Sequence, residues 1–467
     1  FSHGAASALP SPTARQAHLL GWRHAARRFC GDTKEACYGS RAVTGLAAPP
    51  TRRRTALVLS GGGSRGAYEA GVLSWLFEHI YPKLGKDFEF DIVSGTSVGA
   101  IHAAYVACTS GLKPVERARM LVDTWAGMRF ETVMRLRWRD LVGIPMRGLG
   151  LGLMRRRGRG YTAEAKGGLV DIAPLEELVR TRLPWHRLRA NLAAGRPSTL
   201  CTTVTTVSSG VVRVFLDGPG AETAPWQYDP HVDAVITRIT DLHVRASAAI
   251  PFLFPAVRID DRYYVDGGLR LNTPLSPALR LGAEKVLLVG LGRKLGKKDK
   301  AAFADAESLM QPAFLFGKIL DVLLLDPIDN ELHHLGVINS LLTGGAATFG
   351  EDFAERIAPY LHASRGAAYR PVEFFMQTPS DDIGRIAAEC YHRPTGTTVK
   401  GTLISALIKR AVTMGVPRDE ADFLSYVYFD KAFTDRLVEL GRADAEASRD
   451  RILELLAPEP TAADPPC

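Results

Sequence analysis

The chain of 467 residues has few cysteines and no long apolar run. Its six cysteines are scattered and form no Cys-x-x-Cys pair or Cys/His cluster, so neither a zinc site nor a disulfide framework is indicated. They stand at positions 30, 37, 108, 201, 390 and 467. No apolar run reaches the roughly 18 to 20 residues that a membrane-spanning helix needs, so we expect any membrane contact to be peripheral. The sequence also has no internal repeat.

Acidic residues are missing from the first part of the chain, where none precedes Asp32. Residues 1–53 are rich in Ala, Ser, Pro and Arg, a composition typical of a presequence or a flexible arm. We interpret them as a disordered leader, and the start at Phe1 rather than at methionine leaves a removed signal open. The formal net charge of +8 is modest, and solubility explains it as well as an approach to anionic lipid or nucleic acid does.

The ordered part of the chain begins with two strand–helix units. Thr55–Ser60 is a continuous apolar run typical of a buried parallel strand, and the glycine-rich Gly61–Gly66 separates it from a helical pattern over 67–76. A second strand is predicted over 89–94 and a second helix over Ser97–Ala107. Two such units in a row favour an α/β fold with a parallel, doubly wound sheet.

Between Arg129 and Gly160 the sequence alternates arginine with Trp, Leu and Met. This mixture is typical of an interfacial segment or of a mobile cover over an apolar pocket. A solvated loop with a few buried apolar anchors explains it equally well. We therefore treat 129–160 as an arginine-rich insert or lid within a catalytic domain predicted to span 54–295.

Regular structure resumes after the insert. The predicted elements are a helix over Pro174–Leu183, strands over Thr199–Val207 and Val211–Leu216, a helix over Leu242–Ala249, a hairpin of Ala256–Ile259 with Tyr263–Val265, a helix over Pro274–Leu281 and a strand over Lys285–Gly290.

The remaining chain is predicted to be a mostly helical C-terminal extension over 296–456, followed by a tail over 457–467. It contains a long amphipathic helix over Leu315–Leu342, one further strand over Val372–Thr378, and a set of helices over 383–456.

The second strand–helix junction has the sequence Gly95-Thr96-Ser97-Val98-Gly99, a G-x-S-x-G pattern. A serine raised on a sharp strand-to-helix turn needs small neighbours, because Cβ atoms at positions 95 and 99 would collide with the adjacent strand and helix. The backbone N–H groups at the start of the helix would favour developing negative charge. The pattern predicts that Ser97 is a nucleophile, although a glycine-rich turn with an incidental serine has the same five residues.

The first junction supplies Gly61, Gly62, Gly63 and Gly66, of which Gly61, Gly63 and Gly66 also satisfy the G-x-G-x-x-G dinucleotide pattern. That interpretation is disfavoured because the second strand leads into the serine turn, where the cofactor sugar should lie. We interpret the loop as an oxyanion hole, in which the N–H groups of Gly62 and Gly63 face a tetrahedral intermediate. Arg65 would brace the loop or hold an anionic part of the substrate.

A serine hydroxyl needs a base that takes its proton. No histidine after Ser97 has a glycine-flanked setting at the end of a strand, whereas Asp266-Gly267-Gly268 ends the predicted hairpin and can present a carboxylate into a cleft. The two alternatives are a chemically inert Asp-Gly-Gly turn and a conventional triad with a histidine such as His333 or His362.

Taken together, G-G-G-x-R-G, G-x-S-x-G and D-G-G resemble the signature of the patatin-like phospholipases, and the resemblance extends from about Thr55 to about Gly290. The segment 246–255 also looks like that family's stretch before the aspartate strand. The resemblance implies a three-layer α/β/α fold with a mostly parallel sheet. It also implies a Ser97–Asp266 dyad without histidine.

The remaining roles implied by the resemblance fall on short glycine-containing segments. These are an oxyanion loop of Gly61, Gly62, Gly63, Arg65 and Gly66, a nucleophile elbow of Gly95 and Gly99, and an aspartate turn of Gly267 and Gly268. The resemblance further implies calcium-independent hydrolysis of lipid acyl esters, with neither metal nor other cofactor. We expect a phospholipid or other lipid ester as substrate, a peripheral membrane surface as partner, and no nucleic acid. A transacylase, a general esterase and a catalytically silent lipid- or partner-binding protein remain alternatives.

Overall fold

Ten strands form one mixed sheet whose central strands run parallel. The computed structural model describes residues 52–85, 87–135, 165–166, 170–223, 226–251, 253–292, 327–392 and 422–458. The first 51 residues, most of the predicted insert (136–160), the first part of the predicted C-terminal extension and the tail from 459 onward lie outside the described residues. All described residues belong to the unit that begins at Arg52.

The strands are β1 (Thr55–Leu59), β2 (Ile92–Thr96), β3 (Ala165–Lys166), β4 (Thr199–Thr206), β5 (Val212–Asp217), β6 (Val232–Ile236), β7 (Ala256–Ile259), β8 (Arg262–Asp266), β9 (Lys285–Val289) and β10 (Glu373–Gln377).

The helices of the first half are α1 (Gly66–Trp75), α2 (Tyr81–Leu84), α3 (Val98–Thr109), α4 (Pro114–Ala126), α5 (Phe130–Val133), α6 (Ala173–Arg182), α7 (Trp185–Ala193), α8 (Asp241–Ser247) and α9 (Leu275–Arg280). Those of the second half are α10 (Pro327–Phe349), α11 (Phe353–Arg365), α12 (Ile383–His392), α13 (Asp422–Val427), α14 (Lys431–Ala447) and α15 (Arg449–Leu456).

The strand order is β10-β9-β1-β2-β4-β8-β7-β3, and β5 pairs with β4 and with β6. Strands β10, β9, β1, β2 and β4 are parallel neighbours, whereas β8 and β5 both run antiparallel to β4. Strand β4 is long enough to pair with β2 along its first part and with β8 along its last three residues. This register brings the end of β2 and the end of β8 to the same place.

Successive residues of the central strands face opposite sides of the sheet, as expected for buried strands covered on both faces. In β1, Leu57 and Leu59 pack with α1, α3 and α4, whereas Ala56 and Val58 pack with α9 and α10. The sheet is therefore the middle layer between two helical layers. This confirms the predicted α/β fold with a mostly parallel sheet and a helical C-terminal region.

The C-terminal helix α14 packs directly along α1. A Cβ on Gly71 would lie 2.2 Å from the carbonyl oxygen of Val438, and a Cβ on Gly441 would lie 2.1 Å from that of Tyr68. Glycine at both positions allows the two backbones to approach within this distance. Arg442 adds a polar contact, because its Nη1 donates to Ser74 Oγ (2.9 Å). The C-terminal helices thus pack onto the helix that follows the glycine loop.

Candidate active site

Ser97 lies at the junction of β2 and α3, in a backbone conformation that L-residues rarely adopt, with φ 55° and ψ −123°. A Cβ on Gly95 would lie 2.1 Å from the carbonyl oxygen of Gly99, and a Cβ on Gly99 would lie 2.3 Å from that of Leu59. Both positions therefore require glycine for steric reasons. The strained turn presents the Ser97 side chain at the carboxyl end of the sheet, as in a nucleophile elbow.

The elbow is anchored by a serine from another helix. The backbone N–H of Ser97 donates to Ser247 Oγ at 2.9 Å, and that hydroxyl donates to the carbonyl oxygen of Thr203 at 2.6 Å. Because this N–H is already bonded, it is not available to a substrate oxyanion. Nothing in the sequence marks Ser247 beyond its place in the segment 246–255.

Asp266 reaches Ser97 through the register of β4. Thr96 pairs with Thr203, and Asp266 pairs with the next residue along the strand, Val204. The carboxyl group of Asp266 therefore lies where the chain passes from Thr96 to Ser97, close enough for the Ser97 side chain to lower its pKa. The structure brings together the two residues that the motifs singled out.

The turn after Asp266 fixes the carboxyl group. Its Oδ1 accepts a hydrogen bond from the backbone N–H of Gly268 at 2.7 Å, and its backbone N–H donates to the carbonyl oxygen of Ala249 at 2.9 Å. A Cβ on Gly267 would lie 2.5 Å from the carbonyl oxygen of Thr203, so the chain can turn against β4 only with glycine there. The tight Asp-Gly-Gly turn thus holds one carboxylate oxygen and leaves the group directed at the serine.

Burial sets the protonation of Asp266, whose residue surface is only 2% exposed. Burial raises the pKa of its carboxyl group to about 6, while the hydrogen bonds from Ser97 and from the N–H of Gly268 act in the opposite direction. A carboxyl group with this pKa is mostly ionised at neutral pH but is a stronger base than an exposed aspartate. It can accept the proton of a serine hydroxyl.

The glycine loop lies against the serine, because a Cβ on Gly61 would be 3.0 Å from Ser97 Cβ. Gly61 itself is paired with Asn272: its N–H donates to the Asn272 carbonyl oxygen (3.1 Å), and Asn272 Nδ2 donates to the Gly61 carbonyl oxygen (3.1 Å). Gly61 therefore contributes no free N–H to a substrate. No motif in the sequence predicts that Asn272 holds the loop.

The other end of the loop is a 3-10 turn over Gly63–Arg65 that leads into α1. The N–H of Arg65 donates to the carbonyl oxygen of Gly62, and the N–H of Gly66 donates to those of Gly63 and Ser64. Within the described residues, no backbone carbonyl oxygen accepts a hydrogen bond from the N–H groups of Gly62 and Gly63. Of the residues predicted to form the oxyanion loop, Gly62 and Gly63 are therefore the candidates for donating an N–H group to the substrate.

Arg65 is buried, with 3% of its surface exposed. Its Nε donates to Ser425 Oγ at 2.7 Å, and its guanidinium carbon lies 4.1 Å from the centre of the Tyr426 ring. Of the two roles predicted for Arg65, this environment favours bracing of the loop. Ser425 and Tyr426 lie in the C-terminal region and belong to no motif that the sequence displayed.

Histidine does not supply the base in this arrangement. His102 lies on α3 beside Ser97, but its Nδ1 is 2.5 Å from Glu69 Oε2, and its Nε2 accepts a hydrogen bond from Trp125 Nε1 at 2.9 Å. Because Nε2 accepts, the ring proton is on Nδ1, and neither nitrogen is free to serve the serine. His333 and His362 are exposed on α10 and α11 and do not line the cavity at Ser97.

An apolar cavity opens beside the serine. Its lining comes from the glycine loop, from α3 to α6 and the residues that follow them, from the segment 248–254 and from the C-terminal residues 426–429. The lining residues are Gly63, Ser97, Val98, Ile101, His102, Tyr105, Leu121, Thr124, Trp125, Met128, Val133, Met134, Leu175, Leu178, Arg182, Leu183, Ala248, Ile250, Phe254, Tyr426, Val427 and Phe429. Arg182 is the exposed member of this set, so it marks the mouth. The lining suits a hydrocarbon chain with one end at Ser97.

The described residues contain neither a metal-binding cluster nor a membrane-spanning helix. No group of three or more His, Cys, Asp or Glu side chains there is placed to hold a metal ion. Within the same ranges, no helix combines the length and the apolarity that crossing a membrane requires.

Comparison with solved structures gives weak overall similarity to three proteins. VipD from Legionella pneumophila has 14% identity and a TM-score of 0.29, over 83% of this chain and 67% of that protein. Human GIVD cytosolic phospholipase A2, in complex with methyl gamma-linolenyl fluorophosphonate, has 13% identity and a TM-score of 0.35. The match covers 86% of this chain but only 58% of the human enzyme. ExoU in its heterodimeric complex with SpcU, from Pseudomonas aeruginosa, has 15% identity and a TM-score of 0.26. That match covers 86% of this chain and 77% of the ExoU chain.

The comparison with family models is more direct. No curated protein matches the chain by sequence. Residues 57–279, however, match the model of the patatin-like phospholipases, and this range contains the glycine loop, the serine elbow and the Asp-Gly-Gly turn. Residues 57–279 therefore belong to the patatin-like phospholipase family.

Proposed function

We propose that the chain is a lipid acyl hydrolase that cleaves carboxylic esters through Ser97 and Asp266. The observation that carries this proposal is the placement of the Ser97 side chain beside the buried Asp266 carboxyl group, at the end of an apolar cavity. The arrangement supplies a nucleophile, a base and a place for an acyl chain. Membership in the patatin-like phospholipases supports lipid esters as the substrate class.

The first half-reaction forms an acyl-enzyme. Asp266 takes the hydroxyl proton as Ser97 Oγ attacks the ester carbonyl carbon, and the carbonyl oxygen becomes an oxyanion. The N–H groups of Gly62 and Gly63 stabilise that charge. Collapse of the tetrahedral intermediate breaks the ester bond, and the leaving alcohol takes the proton from Asp266.

The second half-reaction uses the same residues with water as the nucleophile. Asp266 accepts a proton from water as its oxygen attacks the acyl carbon, the glycine N–H groups again hold the oxyanion, and Ser97 Oγ leaves with the proton from Asp266. The fatty acid is released and the enzyme returns to its starting state. An alcohol acting in place of water would make the same site a transacylase.

The cavity favours long acyl chains. Its apolar lining removes the chain from water, and each buried methylene contributes about 0.8 kcal/mol. The lining holds few polar side chains that could fix a second polar group along the chain. We therefore propose a phospholipid, lysophospholipid or glyceride ester whose acyl chain enters this cavity.

The experiment incubates the full chain with mixed phospholipids and neutral glycerides and measures released fatty acid by mass spectrometry, with and without glycerol as acceptor. The expected result is release by the wild type, none by Ser97→Ala or Asp266→Asn, and covalent labelling of Ser97 by a fluorophosphonate probe. Ser94→Ala is the matched control, because Ser94 lies on β2 shortly before Ser97, but its hydroxyl donates to the carbonyl oxygen of Pro274. Absence of both release and labelling would contradict the proposal and leave a binding role.

A further inference from the structure

The segment Ser425–Phe429, here called the brace segment, lies outside residues 57–279 that match the family model. It nevertheless forms part of the cavity wall, because Tyr426, Val427 and Phe429 line the same cavity as Ser97. Ser425 is fully buried and Tyr426 is 1% exposed. A part of the chain that no motif covers therefore completes the candidate site.

The brace segment makes several contacts with the glycine loop. Ser64 Oγ donates to the carbonyl oxygen of Ser425 at 2.7 Å, and Arg65 Nε donates to Ser425 Oγ at 2.7 Å. The guanidinium of Arg65 also lies over the Tyr426 ring. A Cβ on Gly63 would lie 2.2 Å from the carbonyl oxygen of Tyr426, so the two backbones are in close contact.

These contacts fall on the turn that carries the candidate oxyanion donors. Gly63–Arg65 is a single 3-10 turn, and its last residue is held by the brace segment while its first residue supplies an N–H group. The carbonyl oxygen of Gly62 is bonded to the N–H of Arg65. The Gly62 carbonyl and the Gly63 N–H belong to one peptide group, so the orientation of the Gly63 N–H depends on where Arg65 is held.

We propose that Ser425 is a positioning residue for ester hydrolysis, acting through Arg65 to hold the N–H group of Gly63 toward the oxyanion. The expected change in kcat rests on the proposed function, whereas the expected change in the mobility of the glycine loop does not. Small displacements of preorganised groups lower turnover, and shifts of about 1 Å lower it by as much as about a hundredfold. Ser425 acts on the transition state, so kcat changes and KM does not.

The principal test replaces Ser425 by alanine in the full chain. This change removes the hydroxyl that accepts from Arg65 Nε and leaves the backbone carbonyl that accepts from Ser64, so the structural change is small. With p-nitrophenyl butyrate as substrate, we expect kcat to fall by roughly tenfold to a hundredfold with KM within about twofold. Hydrogen exchange of the peptide that covers residues 60–66 is expected to become faster.

A double-mutant cycle separates this role from general stability. Arg65→Met should lower kcat by at least as much as Ser425→Ala, and the double variant should be no worse than Arg65→Met alone, because the two residues act as one unit. Arg442→Gln is the matched control. It removes the hydrogen bond from Arg442 on α14 to Ser74 on α1, and this contact does not involve the glycine loop. We expect its kcat and its loop exchange to match the wild type.

The outcomes distinguish this proposal from the proposed function. Faster hydrogen exchange of residues 60–66 in Ser425→Ala, together with no ester hydrolysis by the wild type, would support the positioning role of Ser425 and contradict the proposed hydrolase function. Unchanged loop exchange in Ser425→Ala would overturn the positioning role whatever the activity. Equal losses in Ser425→Ala and Arg442→Gln, or additive losses in the double variant, would also overturn it.

Discussion

The side chain of Ser97 lies beside the carboxyl group of Asp266 and lowers its pKa, and both residues are almost fully buried. The contact depends on strand β4, which pairs with β2 beside Thr203 and with β8 beside Val204. Two strands from distant parts of the sequence thus meet end to end along one edge of β4. The proposed chemistry and the stability of the fold are both tied to the ionisation of this aspartate.

The first prediction concerns the pH dependence of turnover. Asp266 must be ionised to accept the serine proton, and burial raises the pKa of its carboxyl group to about 6. We expect kcat/KM for a soluble ester to fall about tenfold for each pH unit below about 6 and to level off above pH 7. Initial rates between pH 4.5 and 8.5 measure this.

Circular dichroism over the same pH range provides the control, because it separates titration of the site from acid unfolding. A profile that is flat between pH 5 and 7 would contradict the assignment of Asp266 as the base.

The second prediction concerns the stability of Asp266→Asn. The pKa of Asp266 is about 6 in the folded chain against 3.8 for the ordinary group, so the folded state binds more protons between these values. Stability therefore falls as pH rises through this window, and the loss is complete above about pH 6. At pH 8 the asparagine variant should be more stable by about 1–3 kcal/mol, since each pKa unit corresponds to about 1.4 kcal/mol.

Urea denaturation at pH 8 and at pH 4 measures the effect. The advantage of Asp266→Asn should shrink toward zero at pH 4, where the native aspartate is already protonated. Equal free energies of unfolding for the two proteins at pH 8 would show that the ionised Asp266 carboxylate does not destabilise the fold. We expect the variant to lose ester cleavage while it gains stability, as is common for residues retained for function.

Much of the fold and of the candidate dyad could be predicted from the sequence, because local chemistry determines them. The predicted strand Thr55–Ser60 is found as β1, and the predicted hairpin is found as β7 and β8, each within a residue or so. The helix predicted over Leu315–Leu342 is observed only as Pro327–Phe349, since the residues before 327 lie outside the described part of the chain.

The contacts that support the site could not be predicted, because they join distant segments without a motif. Ser425 lies 360 positions from Arg65, and Asn272 lies 211 positions from Gly61. Single polar residues of these types occur throughout the chain. The packing of the C-terminal region on the glycine loop selects Ser425, and the turn that follows β8 places Asn272 against Gly61. Helices α4 and α7 were also not predicted, although both help to enclose the core.

The third prediction concerns acyl-chain length. Leu175, on α6, lies in the wall of the apolar cavity and is 8% exposed. Leu175→Trp should fill part of the space that a long chain occupies, so kcat/KM should fall more than tenfold for a palmitoyl ester and little for an acetyl ester. Overpacking a cavity wall costs about 1–3 kcal/mol, which the fold of a domain this size tolerates.

Leu175→Met serves as the control, because it keeps the side-chain volume and should preserve the wild-type preference. Hydrolysis of a series of p-nitrophenyl esters from acetyl to palmitoyl measures the change. A uniform loss for all chain lengths would show that the acyl chain does not enter this cavity.

The fourth prediction concerns the charge of the substrate. Arg182 is the exposed residue at the cavity mouth, and no ion pair is found for it among the described residues. A guanidinium there attracts a phosphate or carboxylate of an approaching lipid. Arg182→Gln should raise KM about two- to fivefold for an anionic phospholipid and leave it unchanged for a neutral glyceride, since an exposed pair contributes about 0.2–1 kcal/mol.

Arg180→Gln provides the matched control on the same helix. Arg180 is also exposed, but it pairs with Glu177 and does not line the cavity. The KM difference between wild type and Arg182→Gln should also shrink as salt is raised from 0.05 to about 0.5 M, because salt screens exposed charges. If both variants change KM for the anionic lipid equally, the effect comes from the overall positive charge of the surface rather than from the cavity mouth. In that case the position of Arg182 has no part in substrate choice.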